Sequence, residues 1–268
     1  MSDVNYEPVI QDMTWSYSRV HTILDCPYEW YLKYIRGLSD EELFFSSFGK
    51  FMHSLLELYF TKKETKENLI TKYLCEFGSN VIKAPPNWKV YDNYFQSGLR
   101  YLETLSPPQC SILGVEKEVK FEIKTDFKSY PFVGYIDLLA EKDDKLYIID
   151  HKSRNLSKRS KGKKYTKTDQ ELDEYLRQLY LYSIAVKEEY GRHPDALVFN
   201  CFRVPLIIEE PFKEDRLEEA KEWAISMIKE IKMSEFKPKL EYFKCKHICG
   251  YRKHCEYYPL CFDSNYKK

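Results

Sequence analysis

The stretch that decides the fold is Gly134-Tyr135-Ile136-Asp137-Leu138-Leu139-Ala140-Glu141, followed shortly by Lys145-Leu146-Tyr147-Ile148-Ile149-Asp150-His151-Lys152. Each half is an apolar and aromatic run bounded by charged turn signals, which predicts two strands. Asp137 sits late in the first, and Asp150 ends the second thirteen residues on. If the strands are neighbours, both carboxylates converge on one side of the sheet. Hard oxygen ligands of this kind suit Mg²⁺ or Mn²⁺, ions that activate water and neutralise charge developing on a phosphate. Side chains alternate along a strand, so Lys152 points to the face of Asp150 and brings an ammonium beside the metal.

Working outward, ILGVEKEVKFEI at 112–123 alternates as a strand in front of the pair. From Asp169 to Glu189 the apolar spacing turns helical, ALVFNCFRV at 196–204 returns to strand, and 213–233 carries one apolar face at helical spacing. The strand–helix–strand unit over 145–204 forces a parallel pair. Upstream the chain is helical. Ser16-Tyr17-Ser18 caps a first helix that Cys26-Pro27 interrupts or tightens, and further helices are expected at 42–60, 65–81 and about 90–105. The result is an α/β chain with a mixed sheet flanked by helices and a site at the carboxyl ends of the central strands.

At 268 residues with 43% hydrophobic and 31% charged residues, the chain can bury a sizeable core, which argues against disorder and fibrous structure. No apolar run approaches the roughly 18 residues of a membrane span. MSDVNYEPVIQDM lacks the basic-then-apolar pattern of a signal peptide, so an intracellular, cytoplasmic protein is expected. Lys plus Arg equals Asp plus Glu at 42 each, so only the distribution of charge is informative. Residues 151–168 hold eight Lys or Arg and no acid. Directly after the Asp150 strand, this segment reads as a solvated loop or as a phosphate-gripping flap, with Lys158, Arg159, Lys161, Lys163 and Lys164 as candidate DNA contacts. Arg19 is a further DNA candidate, and Trp15, Tyr17, Trp30 and Tyr31 are stacking or core residues.

Eight cysteines in a reducing compartment are unlikely to form structural disulfides, so clustered ones read as metal or redox ligands. Cys245, Cys249, Cys255 and Cys261 cluster near the end, while Cys26 stands alone near the start. The four late thiols can close a Zn²⁺ site or hold an iron–sulfur cluster.

Taken in order, these pieces resemble a known family. GYID137 with YIID150-H-K152 resembles the D-(x)n-(D/E)-x-K core of the PD-(D/E)XK nuclease superfamily. The neighbouring motifs resemble its RecB-like, CRISPR-associated RecB-like exonuclease and AddB-like members. Ser16-Tyr17-Ser18 with CPYEWYLKY at 26–34 resembles their opening serines and first cysteine; FGKFMH at 48–53 their G-x-x-x-H helix; QLYLY at 178–182 their Q-x-x-x-Y helix; and the tail cysteines their terminal cluster set.

The resemblance implies a restriction-endonuclease-like α-β-β-β-α-β core in a single domain over 1–268. Within it lie a helical part at 15–105, a nuclease core at 42–60 plus 110–233, and a Cys-rich tail at 245–261. It implies a metal-dependent deoxyribonuclease, an exonuclease on DNA ends or single strands. Catalysis would fall to Asp137, Asp150 and Lys152, with Gln178 and Tyr182 touching the DNA backbone or supporting Lys152. His53, Asp137, Asp150 and the His151 backbone carbonyl would hold one or two divalent ions. An imidazole ligand tilts the preference toward Mn²⁺. Cys26, Cys245, Cys249 and Cys255 would hold a [4Fe–4S] cluster, with Cys261 as replacement for one of them, although the first late gap is one residue longer than the family usually shows. A structure-specific endonuclease, or a non-catalytic DNA-binding module with a zinc tail, are the other readings. No G-x-x-x-x-G-K-[ST] loop occurs, so unwinding would come from a helicase or recombination partner.

Overall fold

The computed structural model describes residues 6–162 and 164–262. In chain order these form α1 (Glu7–Gln11), α2 (Tyr17–Asp25), α3 (Pro27–Tyr34), α4 (Phe44–Phe60), α5 (Lys66–Asn80), α6 (Trp88–Thr104), β1 (Ser111–Lys124), β2 (Ser129–Lys142), β3 (Lys145–Lys152), α7 (Lys167–Tyr190), β4 (Ala196–Cys201), β5 (Leu206–Pro211), α8 (Glu214–Met233) and α9 (Tyr242–His247). The helix breaks follow the sequence. Ser16 Oγ caps α2 by accepting from Arg19 N at 3.1 Å, and Pro27 opens α3, where its missing N–H has no intrahelical use. Thr166 and Asp169 form a capping box on α7, which ends at Gly191 in a left-handed conformation at φ +72°.

The strands run in the order β1-β2-β3-β4-β5. β1, β2 and β3 form an antiparallel meander, and the β2–β3 turn places Asp143 and Asp144 at φ +51° and +59°, as a tight hairpin requires. α7 then crosses back so that β4 lies parallel to β3, from Tyr147 opposite Ala196 to Lys152 opposite Cys201. The expected mixed sheet flanked by helices is therefore present. One strand escaped the sequence reading: β4 stops at Cys201, and Leu206–Pro211 returns antiparallel as β5 at the sheet edge. Its alternation is masked because the outward-facing position carries Ile207, 60% exposed, beside the buried Ile208.

Two cores hold these layers. One packs Val119, Phe121, Ile148, Leu197 and Phe199 of the sheet against Leu172, Leu176 and Leu179 of α7 and Ala220, Ala224 and Ile228 of α8. Trp15, Tyr17 and Trp30 are buried in it, so they serve packing and not base stacking. The other joins Phe48, Phe51 and Leu55 of α4 to Tyr73 and Phe77 of α5, Leu102 of α6, and Phe202 just beyond β4. Each such ring contributes on the order of 1.5–3 kcal/mol on burial. The end of β3 lies between the two layers, with Asp150 and Lys152 facing α7 and the His151 ring stacked on Phe60 of α4 at 5.5 Å. Among the described residues no helix is long and apolar enough to cross a membrane.

Candidate active site

The register of the meander lines up three carboxylates. Leu138 pairs with Ile149, so the next position places Asp137 opposite Asp150. On the other side Val115 pairs with Leu138 and Lys117 with Ile136, which leaves Glu116 facing Asp137, out of the ladder at φ +46°. Asp137 Oδ2 accepts the His151 backbone N–H at 2.7 Å. Lys152 Nζ lies 3.0 and 2.8 Å from the two oxygens of Asp150 and donates to Gln178 Oε1 at 3.2 Å. Gln178 Nε2 in turn donates to the Tyr182 hydroxyl at 3.2 Å. Gln178 and Tyr182 share one face of α7, which lies over the sheet because β2 carries Gly134 beneath the tyrosine ring. A Cβ at Gly134 would stand 2.2 Å from Tyr182 Cε1.

His53 reaches the same place from α4. Its Nε2 is 2.9 Å from the His151 carbonyl oxygen, and its Nδ1 is 3.5 Å from Glu116 Oε1 and 3.6 Å from Asp137 Oδ2. Ligand atoms of His53, Glu116 and Asp137 all fall within 4.8 Å of one another. A cleft of about 600 Å³ opens here, lined by Gly49, Lys50, His53, Ser54, Glu57, Glu116 and Tyr135. The structure thus brings together His53, Asp137, Asp150, the His151 carbonyl, Lys152, Gln178 and Tyr182. Glu116 is the member that sequence reasoning missed: in the run Glu116-Lys117-Glu118 it looks like one more solvent-facing acid of an edge strand, and only the strand register marks it out.

The electrostatics show what the site lacks. Burial, then the neighbouring charge of Asp150, push the Asp137 carboxyl up to about 7, against the pull of His53, the His151 N–H and Lys152. Burial would lower Lys152, but the Asp150 carboxylate outweighs it and holds the lysine as an ammonium. His53 is raised in the same sense, with Glu116, Asp137 and Asp150 overcoming its burial. The His151 ring, on the other face, is pushed down to about 3 by burial and stays neutral. The buried Asp150 Oδ2 is met by Lys152 Nζ at 2.8 Å. Facing carboxylates, an imidazole nitrogen and a backbone carbonyl, converging on one cleft, fit a divalent cation.

At the other end of the molecule, Cys26, Cys245, Cys249 and Cys255 line one cavity with Tyr28, Glu29 and Tyr251. Lys239 N donates to Cys26 Sγ at 3.4 Å. Cys261 is buried outside that lining and hydrogen-bonds with Cys245, and burial with this contact pushes its thiol up to about 12. Glu41 joins this region, through Arg252 and Lys253, to Lys83 in the segment that follows α5.

The basic segment is more ordered than its composition suggests. Leu156 is buried, Ser160 N donates to Asp169 at 2.7 Å, and Arg159 is paired with Asp173 at 2.7 Å and Glu210 at 3.0 Å. Lys158, Lys161 and Lys164 are exposed, and Lys163 lies outside the described residues. Arg19 spends its guanidinium internally, over the Tyr34 ring at 4.7 Å and on the Thr14 carbonyl.

A comparison with curated proteins finds no match. Among solved structures the chain is similar to that titled "Crystal structure of SSO0001", at 17% identity and a TM-score of 0.33, over 71% of this chain and 95% of that one. The family comparison is the informative one, because its match runs over residues 14–261 and so takes in His53, the carboxylate strands, α7 and the late cysteines. The chain belongs to the PD-(D/E)XK nuclease superfamily.

Proposed function

We propose that this nuclease is a Mn²⁺- or Mg²⁺-dependent exonuclease that hydrolyses DNA from ends or along single strands, with an iron–sulfur cluster tying its two termini together. The observation that carries the reading is the facing pair Asp137 and Asp150 with the Lys152 ammonium held between Asp150 and Gln178. His53 Nε2, Asp137, Asp150 and the His151 carbonyl would hold the cation, which when bound supplies Lewis acidity and an acidified water. The chain's own residues supply position. Lys152, fixed by Gln178 and Tyr182, donates to the phosphate oxygens and stabilises the charge that develops as the water oxygen bonds to phosphorus and the P–O bond to the leaving strand breaks. The water leaves a hydroxyl on the new terminal phosphate and its other proton, by way of solvent, on the leaving oxygen. Tyr182 acts through Gln178, and Gln178 acts through Lys152.

Lys158, Lys161 and Lys164 would lie along the phosphate backbone, since they are exposed on the segment that leaves β3 beside Lys152. Arg159 is anchored to Asp173 and Glu210, which suits a role in holding that segment in place. For the cluster, Cys26, Cys245, Cys249 and Cys255 are the ligands we infer, because they share one cavity, with Cys261 as the spare. A helicase or recombination partner would open duplex DNA, and we place the protein in the cytoplasm.

The test uses end-labelled linear and covalently closed circular single-stranded DNA with Mn²⁺. Nucleotide release from the linear strand with the circle left intact supports the exonuclease. Cutting of the circle makes it an endonuclease on the same fold.

A further inference from the structure

Glu116 stands outside every motif that carries the functional reading, yet it points at the centre of the site. We propose that Glu116 is a positioning residue that accepts a hydrogen bond from the Nδ1–H of His53 and so presents the Nε2 lone pair to the catalytic cation; this rests on His53 being a ligand, as proposed above. A neutral imidazole has one ring proton. His53 Nε2 lies 2.9 Å from the His151 carbonyl oxygen, a contact in which Nε2–H donates; the two atoms can instead share a cation only if the ring proton resides on Nδ1. Nδ1 has two acceptors within reach, Glu116 Oε1 at 3.5 Å and Asp137 Oδ2 at 3.6 Å. Asp137 Oδ2 is already occupied by the His151 N–H at 2.7 Å and belongs to the proposed ligand set. Glu116 has no such commitment, for its one ion pair among the described residues is with His53. Carboxylates that accept from the far nitrogen of a ligating histidine fix its tautomer and ring orientation.

The backbone points the same way. Glu116 takes φ +46°, a left-handed conformation that is strained for a residue with a Cβ, and it drops out of the β1–β2 ladder between two regular pairs. Its carboxylate meets the imidazole at the cleft wall, where both residues line the opening.

The experiment is a Mn²⁺ titration of the full chain, followed by the electron paramagnetic resonance of free Mn²⁺, for the parent, Glu116→Ala, Glu116→Gln, His53→Ala, Asp150→Asn and the double variant His53→Ala/Glu116→Ala. Melting in chelator confirms that each is folded. Glu116→Ala should weaken Mn²⁺ about 10–100-fold. Glu116→Gln keeps an acceptor oxygen and should return close to the parent, and the double variant should bind no worse than His53→Ala alone. Parental affinity in Glu116→Ala overturns the proposal. So does a Glu116→Gln as weak as Glu116→Ala, or an added loss in the double variant, since either makes Glu116 a direct ligand. A folded parent that binds no Mn²⁺, or an Asp150→Asn that binds as the parent does, instead overturns the underlying assignment of the metal site.

Discussion

Gly134→Ala adds one methyl group to β2 and tests how Lys152 is held. The new Cβ would lie 2.2, 2.6 and 2.8 Å from Cε1, Cζ and the hydroxyl of Tyr182, so the ring must retreat by about 1.2 Å to reach the 3.4 Å of ordinary contact. Tyr182 is buried and has little room to pivot. Overpacking of this kind costs about 1–3 kcal/mol. At ~2–4 °C per kcal/mol for a chain of this size, the melting temperature should fall by about 2–12 °C. The retreat also pulls the Tyr182 hydroxyl from Gln178 Nε2 and frees the oxygen that holds Lys152 Nζ, both now at 3.2 Å. A displacement of about 1 Å at a catalytic group costs on the order of 10²-fold in rate, so kcat for Mn²⁺-dependent cleavage should drop 10–100-fold. Tyr182→Leu removes the ring and should restore much of the stability in the double variant while leaving kcat low, because the hydrogen-bond chain stays broken. A Gly134→Ala protein with the parent's melting temperature and kcat, or a double variant whose stability losses simply add, would refute this chain of support.

Three further outcomes are expected. Asp137 is lifted to about 7, so the folded chain keeps a proton that the unfolded chain releases near pH ~4, and in chelator this group's contribution to stability falls as pH rises through that window. Asp150→Asn removes the neighbouring charge and should flatten the decline in melting temperature, so an unaltered pH profile for that variant counts against the charge pairing. Anaerobically purified Cys26→Ala should lose its iron and its colour and melt lower, whereas Cys261→Ala should keep both; iron and zinc analysis decides, and zinc bound equally by parent and Cys26→Ala establishes a local tail site instead. Neutralising Lys158, Lys161 and Lys164 should flatten the dependence of log affinity on log salt by about 2 on single-stranded DNA, at ~0.7 per contact, while Arg159→Ala chiefly lowers the melting temperature; a parental salt slope in the triple variant would move the DNA path elsewhere.

What could be read from the sequence follows how local each interaction is. Asp137, Asp150 and Lys152 are legible because a tight hairpin between two short apolar runs leaves one register, and alternation then fixes the faces. Gln178 and Tyr182 are legibly on one side of a helix, but that α7 lies over Lys152 depends on a crossover and on the space at Gly134. His53, on α4, could be linked to the strands only through its resemblance to a family motif. Glu116 was out of reach, since its place opposite Asp137 depends on an interrupted ladder and a left-handed backbone that the run of charged residues does not signal. Arg159 illustrates the opposite error. Counting cations in 151–168 treats each as available, whereas its carboxylate partners lie 14 and 51 residues further along the chain and take it up internally.

The most direct test of the account is the rate of Mn²⁺-dependent hydrolysis of labelled DNA by the purified chain, set beside Asp150→Asn. The substitution keeps the shape of the side chain and removes the charge that faces Asp137 and holds Lys152. The parent should cleave in a metal-dependent manner abolished by chelator, and a folded Asp150→Asn protein should be slower by at least about 10²-fold. Cleavage by Asp150→Asn at the parent's rate, or a folded, metal-binding parent that leaves DNA intact, would contradict it.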